Sequence, residues 1–492
     1  MTQIGTPLGL IKSLARELNE RGVSYCHWKS NASIDRALAG EGDLDLLVGR
    51  DSIGSFYEVL AGLRFTRADA KGRAEVPGTE HFYGYDSEAD AFVHIHAHFQ
   101  MILGHDRTKN YHLPIEEAYL NASWQQGLLH LPDPNFEYVV FVIRMTLKYA
   151  IWDEILWNAL LGRSSRPKPV ERDEFHAFQE RADMGKVSQL LEEHLPYIDA
   201  SLFQDCVDIL QSKTSIGRRL LTVHRLQQSL SAHGRYAPAV DVGLRLWRRV
   251  VVTIRKRLGG RPSQRLATGG AIIAVIGGDG SGKSTALDEV HRWLSAEFDV
   301  KRIHLGKPKW SITTILVRGI LQTLAAIAGA GKTSRPDKSR RGLIDRYRPV
   351  FWMVCKARDR FHTYRKARRF TTNGGLVVSD RYPHPSLRIM DAPQIERMLD
   401  ETLDGPFVRW MMRIEQKYHQ AIGLPELVVA LRLDPEIAVQ RKTTESAESV
   451  RRRGNEIWHM TWEDGSVHVI DASKSREEVA RELKSLIWSR LA

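Results

Sequence analysis

The stretch "AIIAVIGGDGSGKST", Ala271 to Thr285, joins an apolar β-branched run to a glycine-rich turn and then to the helical pattern "STALDEVHRWLSAEF". Gly277, Gly282, Lys283 and Ser284 satisfy G-x-x-x-x-G-K-[ST] in the strand, loop and helix context that this motif requires. The spacing has a chemical reason. Glycines let successive backbone N–H groups curl around an anion, and the helix N-terminus adds its positive end. Lys283 is then placed for the β- and γ-phosphates and the Ser284 hydroxyl for Mg²⁺. Gly277, Gly278, Gly280, Ser281, Gly282, Lys283, Ser284 and Thr285 are therefore the expected nucleotide-binding residues, with ATP and Mg²⁺ as cofactors.

Around this loop the residues after Gly269 alternate between strand and helix patterns. "AIIAVI", "VKRIHLG", "GLVVSD", "ELVVALRLD" and "SVHVIDAS" are short apolar runs separated by long helical stretches. Such runs imply a parallel sheet covered on both faces. The expectation for 269–492 is an α/β, doubly wound P-loop domain.

The whole chain has 492 residues and predicts two to four domains. Hydrophobic residues make up 42% and charged residues 26%, a globular composition that excludes general disorder. A net charge of +12 favours anionic partners, namely nucleotides, nucleic acid or an acidic membrane surface. Cys26, Cys206 and Cys355 stand far apart with no CxxC or zinc spacing. A cytoplasmic location, with peripheral contact at a membrane, is the expectation. The opening "MTQIGTPLGLIKSLARELNERG" reads as an amphipathic helix without a cleavage site, and "GILQTLAAIAGAG" from Gly319 is too short to span a bilayer. That second segment is expected to be a buried or interfacial helix.

Upstream of the P-loop domain the pattern changes twice. Residues 1–130 carry short strands, "VSYCHW", "GDLDLLVG" and "AFVHIHAHF", with helices between them, and predict a small α/β domain. Residues 131–243 are helical, as in "FEYVVFVIRMTLKYAIWDEILWNAL". Residues 244–268, "RLWRRVVVTIRKRLGGRPSQRL" at their centre, predict a basic linker. A solvated helix accounts for them. So does an amphipathic helix with Trp247, Val250, Val251 and Ile254 on one side that touches anionic lipid or nucleic acid.

The loop "GGDGSGKST", the later "VVSDRY", "PELVVALRLDPEIAVQRK" and the final "VIDAS" resemble, in order and spacing, the thymidylate kinase family of P-loop nucleoside monophosphate kinases. The resemblance covers roughly the last 220 residues, one domain in size. It implies that Asp279 contacts the acceptor, that Asp380 helps hold Mg²⁺ or orients the acceptor, and that Arg381 grips the acceptor phosphate. Some members carry a catalytic arginine inside the P-loop, where this chain has Gly280. Others bring it from a lid, and "RKTTESAESVRRRG" is similar to such a lid, so Arg451, Arg452 or Arg453 is implied as catalytic together with Lys283. A solvated basic helix accounts for any one of them nearly as well, and Arg441 is placed equally to salt-bridge the strand end. Two departures stand out: the second strand leads into "HLGKPKW" where the family has an acidic residue and proline, and Ile276 replaces a common glutamate. In these departures the chain resembles the divergent thymidylate-kinase-like proteins that accompany bacterial polysaccharide genes.

In the first domain "HWKSN" followed by "GEGDLDLLVG" resembles the nucleotidyltransferase superfamily. Asp43 and Asp45 alternate with leucines and so share one face of a strand, where they can share a divalent metal. The resemblance places Lys29 and Ser30 on phosphate. The superfamily's third carboxylate has no match. His94, His96 and His98 at period two share a face instead, and three alternatives account for them: a transition-metal site, His94 in place of the missing carboxylate, or a polar strand face stacked on helices. Loss of the third carboxylate also allows a degenerate, binding-only domain. The combined expectation is an ATP-dependent phosphoryl transfer to a phosphorylated small-molecule acceptor, first dTMP to dTDP, with a second nucleotidyltransferase activity. The alternatives are a sugar or lipid-linked saccharide acceptor, and a nucleotide-gated regulatory protein on nucleic acid or membrane. A homodimer is implied by the kinase resemblance.

Overall fold

The computed structural model describes residues 6–492 apart from 71–75, 150, 153–154, 156, 158–166, 212–213, 258–262, 330–337, 388–391, 400–404, 443–444, 461 and 463–466. The chain divides into two compact units, Met1–Pro262 (with Ala492) and Ser263–Leu491.

The first unit opens with α1 (Gly9–Glu20), β1 (Tyr25–His27), β2 (Leu44–Val48), α2 (Ile53–Gly62), β3 (Thr66–Ala70), β4 (Thr79–Asp86) and β5 (Ala91–His98). The strands are ordered β1-β2-β5-β4-β3, with β2 parallel to β5 and the other pairs antiparallel. Period two sorts the side chains. Leu44, Leu46 and Val48 of β2, with Phe82, Val93 and Ile95, enter a core shared with Ile11, Leu14, Phe56 and Leu60 of α1 and α2. Leu47 enters a different core, with Phe136, Tyr138, Phe141, Phe175, Phe178 and Phe203. The sheet is thus covered on one face by α1 and α2 and on part of the other by helices, and Asp45, His94, His96 and His98 share the parity of that second face.

Those helices are α3 (Pro134–Tyr149), α4 (Pro169–Arg181), α5 (Met184–His194), α6 (Ala200–Leu210) and α7 (Ile216–Ser229). Several start on an aspartate. Asp133 accepts from the Asn135 amide at 2.8 Å, Asp183 from Gly185 at 2.8 Å and Asp199 from Leu202 at 2.7 Å, which satisfies donors that a helix start leaves open. Next comes α8 (Pro238–Arg257), and the expected boundary at 243/244 falls inside it. Its basic residues are not all solvated: Arg245 and Arg249 are buried, and Arg245 pairs with Asp241 one turn earlier. Trp247, Val250 and Ile254 face solvent.

The second unit contains β6 (Ile272–Gly277), α9 (Lys283–Leu294), β7 (Val300–His304), α10 (Ile312–Gly329), α11 (Lys338–Thr372), β8 (Leu376–Asp380), α12 (Pro406–Gln420), β9 (Leu427–Arg432), α13 (Pro435–Arg441), α14 (Ala447–Trp458), β10 (Val467–Asp471) and α15 (Arg476–Leu491). Its five-stranded sheet is parallel throughout, in the order β7-β8-β6-β9-β10. This is the doubly wound α/β arrangement expected from the sequence. The direction of winding reverses at β6, so the carboxyl ends of β6, β8 and β9 open onto a crevice. The β6 run Ile272–Gly277 is buried along its length, as a strand covered on both faces must be. α10 differs from the buried alternative, because Ile312, Ile315, Leu316 and Ile320 are exposed. No helix among the described residues is long and apolar enough to cross a membrane.

Candidate active site

The loop between β6 and α9 sits at the point where the sheet reverses. Gly280 and Gly282 have φ of +85° and +83°, left-handed values that favour glycine. Gly280 is constrained twice over, because a Cβ there would lie 2.8 Å from the Ala438 carbonyl oxygen. A side chain at this position would be strained by the backbone conformation and pressed against α13, so glycine is favoured here. α9 begins at Lys283 directly after the left-handed Gly282. Ser284 and Thr285 follow, exposed at the helix start. The Lys283 ammonium is buried and donates to the Gly278 carbonyl at 2.5 Å. Burial pushes its pKa down to about 8 against the opposing pull of Asp279.

Asp279 is the centre of the site. It is 4% exposed, and cations reach it from three separate elements. Arg381, just after β8, donates from Nη2 to Oδ1 at 3.0 Å. Arg453 of α14 places Nη1 2.6 Å from Oδ2, and Lys442, after α13, lies 3.9 Å from Oδ1. Arg453 is further held by Glu445 and by the Ser449 carbonyl at 3.1 Å. Its delivery depends on the next residue: a Cβ on Gly278 would meet the Gly454 Cα at 3.0 Å, so loop and helix touch backbone to backbone. Arg381 has φ of +57°, a conformation costly for a residue with a side chain. Such strain, observed at the mouth of a phosphate loop, fits a positioned functional group.

The other two lid arginines are placed differently. Arg451 forms a double hydrogen bond to Glu436 at 2.6 and 2.9 Å on the surface, and Arg452 is exposed. Asp380 ends β8 with Oδ1 buried and without a hydrogen-bond partner among the described residues. His304 Nε2 stands 4.0 Å from its other oxygen. The unsatisfied Oδ1 of Asp380 and the exposed Ser284 hydroxyl are a hard-oxygen pair of the kind Mg²⁺ takes, so these residues fit that ion.

Beside Arg381 and Arg453 lies a cavity of about 260 Å³, also lined by Lys356, Arg360, Glu415 and His419. It lies just under the roughly 300–1,000 Å³ of ordinary ligand pockets and suits a small anionic molecule. Arg360 is fixed by donating to the Leu305 carbonyl at 2.7 Å. Glu415 is buried and accepts the amides of Gln394 and Ile395, each at 2.9 Å. His419 is pushed down to about 4 by burial and by Arg360 and Lys356, so it is neutral at pH 7. None of Lys356, Arg360, Glu415, His419 or Lys442 was expected from the sequence. The first four sit on long helices in no motif, Lys442 lies in the lid stretch "RKTTESAESVRRRG" without a role read for it, and only the fold brings them to the crevice.

In the first unit Asp43 and Asp45 do share a face, and each is bonded to a histidine of β5. His94 Nδ1 is 2.7 Å from Asp43 Oδ1, and His96 Nδ1 is 2.9 Å from Asp45 Oδ1. Lys29 lies 2.7 Å from Asp45. Ser30 has φ of +62°. Hydrogen bonding from His94 lowers the Asp43 pKa. Burial would raise that of Asp45, but Lys29, His96 and His98 hold it well below the usual carboxylate range. β4, which the sequence left unread, adds His81, stacked 4.5 Å from His96, and Tyr83, stacked 4.4 Å from His94.

No protein-family model matches the chain. It is 29% identical over 184 residues to the uncharacterized ATP-binding protein YghR of Escherichia coli K12, covering 35% of this chain and 68% of that one. It is 26% identical over 236 residues to the uncharacterized ATP-binding protein YghS of the same strain, covering 45% and 94%. A thymidylate kinase of Symbiobacterium thermophilum is 25% identical over 225 residues, covering 44% and 91%. With the phosphate loop at the switch point of a parallel sheet, these similarities make the chain a bearer of an α/β P-loop kinase-like fold.

Proposed function

We propose that the second unit transfers the γ-phosphoryl group of ATP to a small phosphorylated acceptor, with dTMP, giving dTDP, as the first acceptor to test. The observation that carries this reading is the grouping of Arg381 and Arg453 on the P-loop carboxylate Asp279, at the wall of a basic cavity. An oxygen of the acceptor phosphate attacks the γ-phosphorus and ADP leaves. Lys283 and the loop amides hold the β- and γ-phosphates, and Arg453 supplies the charge that Gly280 cannot. Arg381 and Arg360 hold the acceptor phosphate in line. Ser284 and Asp380 are the residues that would hold Mg²⁺, whose chemistry is to neutralise charge building on the phosphoryl oxygens.

The test is an acceptor screen with γ-labelled ATP over nucleoside monophosphates, sugar phosphates and lipid-linked saccharides. Label in dTDP supports the reading in full. Label in a sugar product moves the acceptor to the saccharide class, which the "HLGKPKW" loop beside Asp380 favours. Tight ATP binding with no transfer to any acceptor overturns it in favour of a nucleotide-gated binding protein.

The solvent-facing Trp247, Val250 and Ile254 of α8 favour a second, independent reading: this helix rests on an anionic membrane surface, with the exposed Arg257 at the headgroups. Salt-sensitive binding to phosphatidylserine vesicles that is lost in Trp247→Ser is the expected result. Binding to DNA instead, or to neither, removes it.

A further inference from the structure

We propose that Asp45, His96 and His98 of the first unit bind one divalent transition-metal ion, in a two-histidine, one-carboxylate site. Parallel pairing of β2 and β5 sets Asp45 directly opposite His96, and period two adds His98 on the same face. One donor atom from each of the three lies within 4.8 Å of the other two. Asp45 Oδ1 is 2.9 Å from His96 Nδ1 and 3.5 Å from His98 Nε2. Those separations bracket the edge of about 3.4 Å expected for a tetrahedron with metal bonds of about 2.1 Å.

The surroundings orient these donors. His98 Nδ1 faces the Thr79 hydroxyl at 3.4 Å, which turns Nε2 toward Asp45, and Trp28 meets the ring edge-on at 4.9 Å. His96 is clamped by the stacked ring of His81. A histidine ligand whose other nitrogen is engaged by a second group is the usual way a metal site fixes its imidazoles. Lys29 Nζ is 2.7 Å from Asp45 Oδ1 and 3.2 Å from His98 Nε2, so its amine occupies the point where the donors converge and a metal ion must displace it to enter. Two imidazoles and one carboxylate suit zinc, cobalt or iron(II) over Mg²⁺, which prefers oxygen ligands. Three protein ligands leave a coordination position open, as in sites that present a metal-bound water to a substrate.

The experiment uses the full-length protein, stripped with chelator and titrated with Zn²⁺ by calorimetry and with Co²⁺ by visible absorption, in excess Mg²⁺ to occupy oxygen sites. One equivalent is expected, with the intense visible bands of a low-coordinate Co²⁺. His96→Ala and His98→Ala should each weaken binding by about 100-fold or more, and Lys29→Met should tighten it by about 10-fold by removing the competing amine. A gain of affinity cannot arise from misfolding, so Lys29→Met keeps the test sound if either histidine variant is unstable. Absence of stoichiometric binding in both wild type and Lys29→Met overturns the proposal. So does binding that survives in the double variant His96→Ala, His98→Ala.

Discussion

Both units gather cationic or imidazole groups around one buried aspartate, but they recruit them across very different distances in the chain. Asp279 draws Arg381, Lys442 and Arg453 from separate loops and a helix more than a hundred residues away. Asp45 draws His96 and His98 from the adjacent strand at fixed register, and Lys29 from the end of its other neighbour. Guanidinium groups on loops can follow a charge that moves, as phosphoryl transfer demands. Imidazoles locked in a sheet hold their donors still, which suits an ion that stays. The same residue type at the centre therefore serves two kinds of chemistry, decided by what carries its partners.

The contrast is broken most severely at Lys283. Lys283→Ala should reduce transfer by about 10³-fold or more, since it removes the charge on the transferring group. Labelled-ATP turnover measures it, and activity near wild type would remove the phosphate loop from the chemistry. Next is Arg453→Ala, expected to lower kcat by about 10³-fold, the lower end of what a positioned arginine supplies. Arg452→Ala and Arg451→Ala should stay within about twofold, because one side chain is exposed and the other is spent on a surface pair with Glu436. Equal losses in all three variants would show a diffuse charge effect in place of one delivered group.

A smaller effect is expected from pH. Lys283 must be protonated to bind the triphosphate, and burial has pushed its pKa in the free protein down to about 8. The charged form is full below that pH and is lost above it, so the Kd for ATP should rise by up to tenfold per unit above about pH 8. Lys283→Arg, which keeps its charge, should flatten that rise in a calorimetric titration from pH 7 to 9.5. Smallest of all is Gly280→Ala, expected to cost about 1–2 kcal/mol of stability through its left-handed φ, read as a lowered Tm. No change would mean that the loop relaxes away from Ala438.

What was legible in the sequence follows from how locally each feature is encoded. The strands of the second unit are β-branched runs with breakers at their ends, and the phosphate loop is a contiguous motif, so both could be read directly. The order β7-β8-β6-β9-β10 is a property of packing and left no local trace. Arg451, Arg452 and Arg453 could not be told apart because neighbours on a helix point about 100° from one another, and only the facing wall decides among them. The contact of Gly454 with Gly278 chose Arg453. Lys29 was expected to face phosphate, but on the adjacent strand lies Asp45, the carboxylate that claims it. The boundary expected at 243/244 fell inside α8 because the helix runs through Gly243 without a break, from Pro238 to Arg257.

The meeting of Gly278 and Gly454 carries a consequence for how the second unit reports its own state. With no side chain on either partner, the separation of phosphate loop and lid is metered by main chain alone, like two bare rails set at one gauge. A single added methyl at residue 278, which would meet the Gly454 Cα at 3.0 Å, would widen that gauge, and every ångström gained would be an ångström by which Arg453 falls short. Gly278→Ala is thus a calibrated spacer, whose loss of kcat in excess of any change in ATP affinity would measure how steeply catalysis depends on the reach of one arginine.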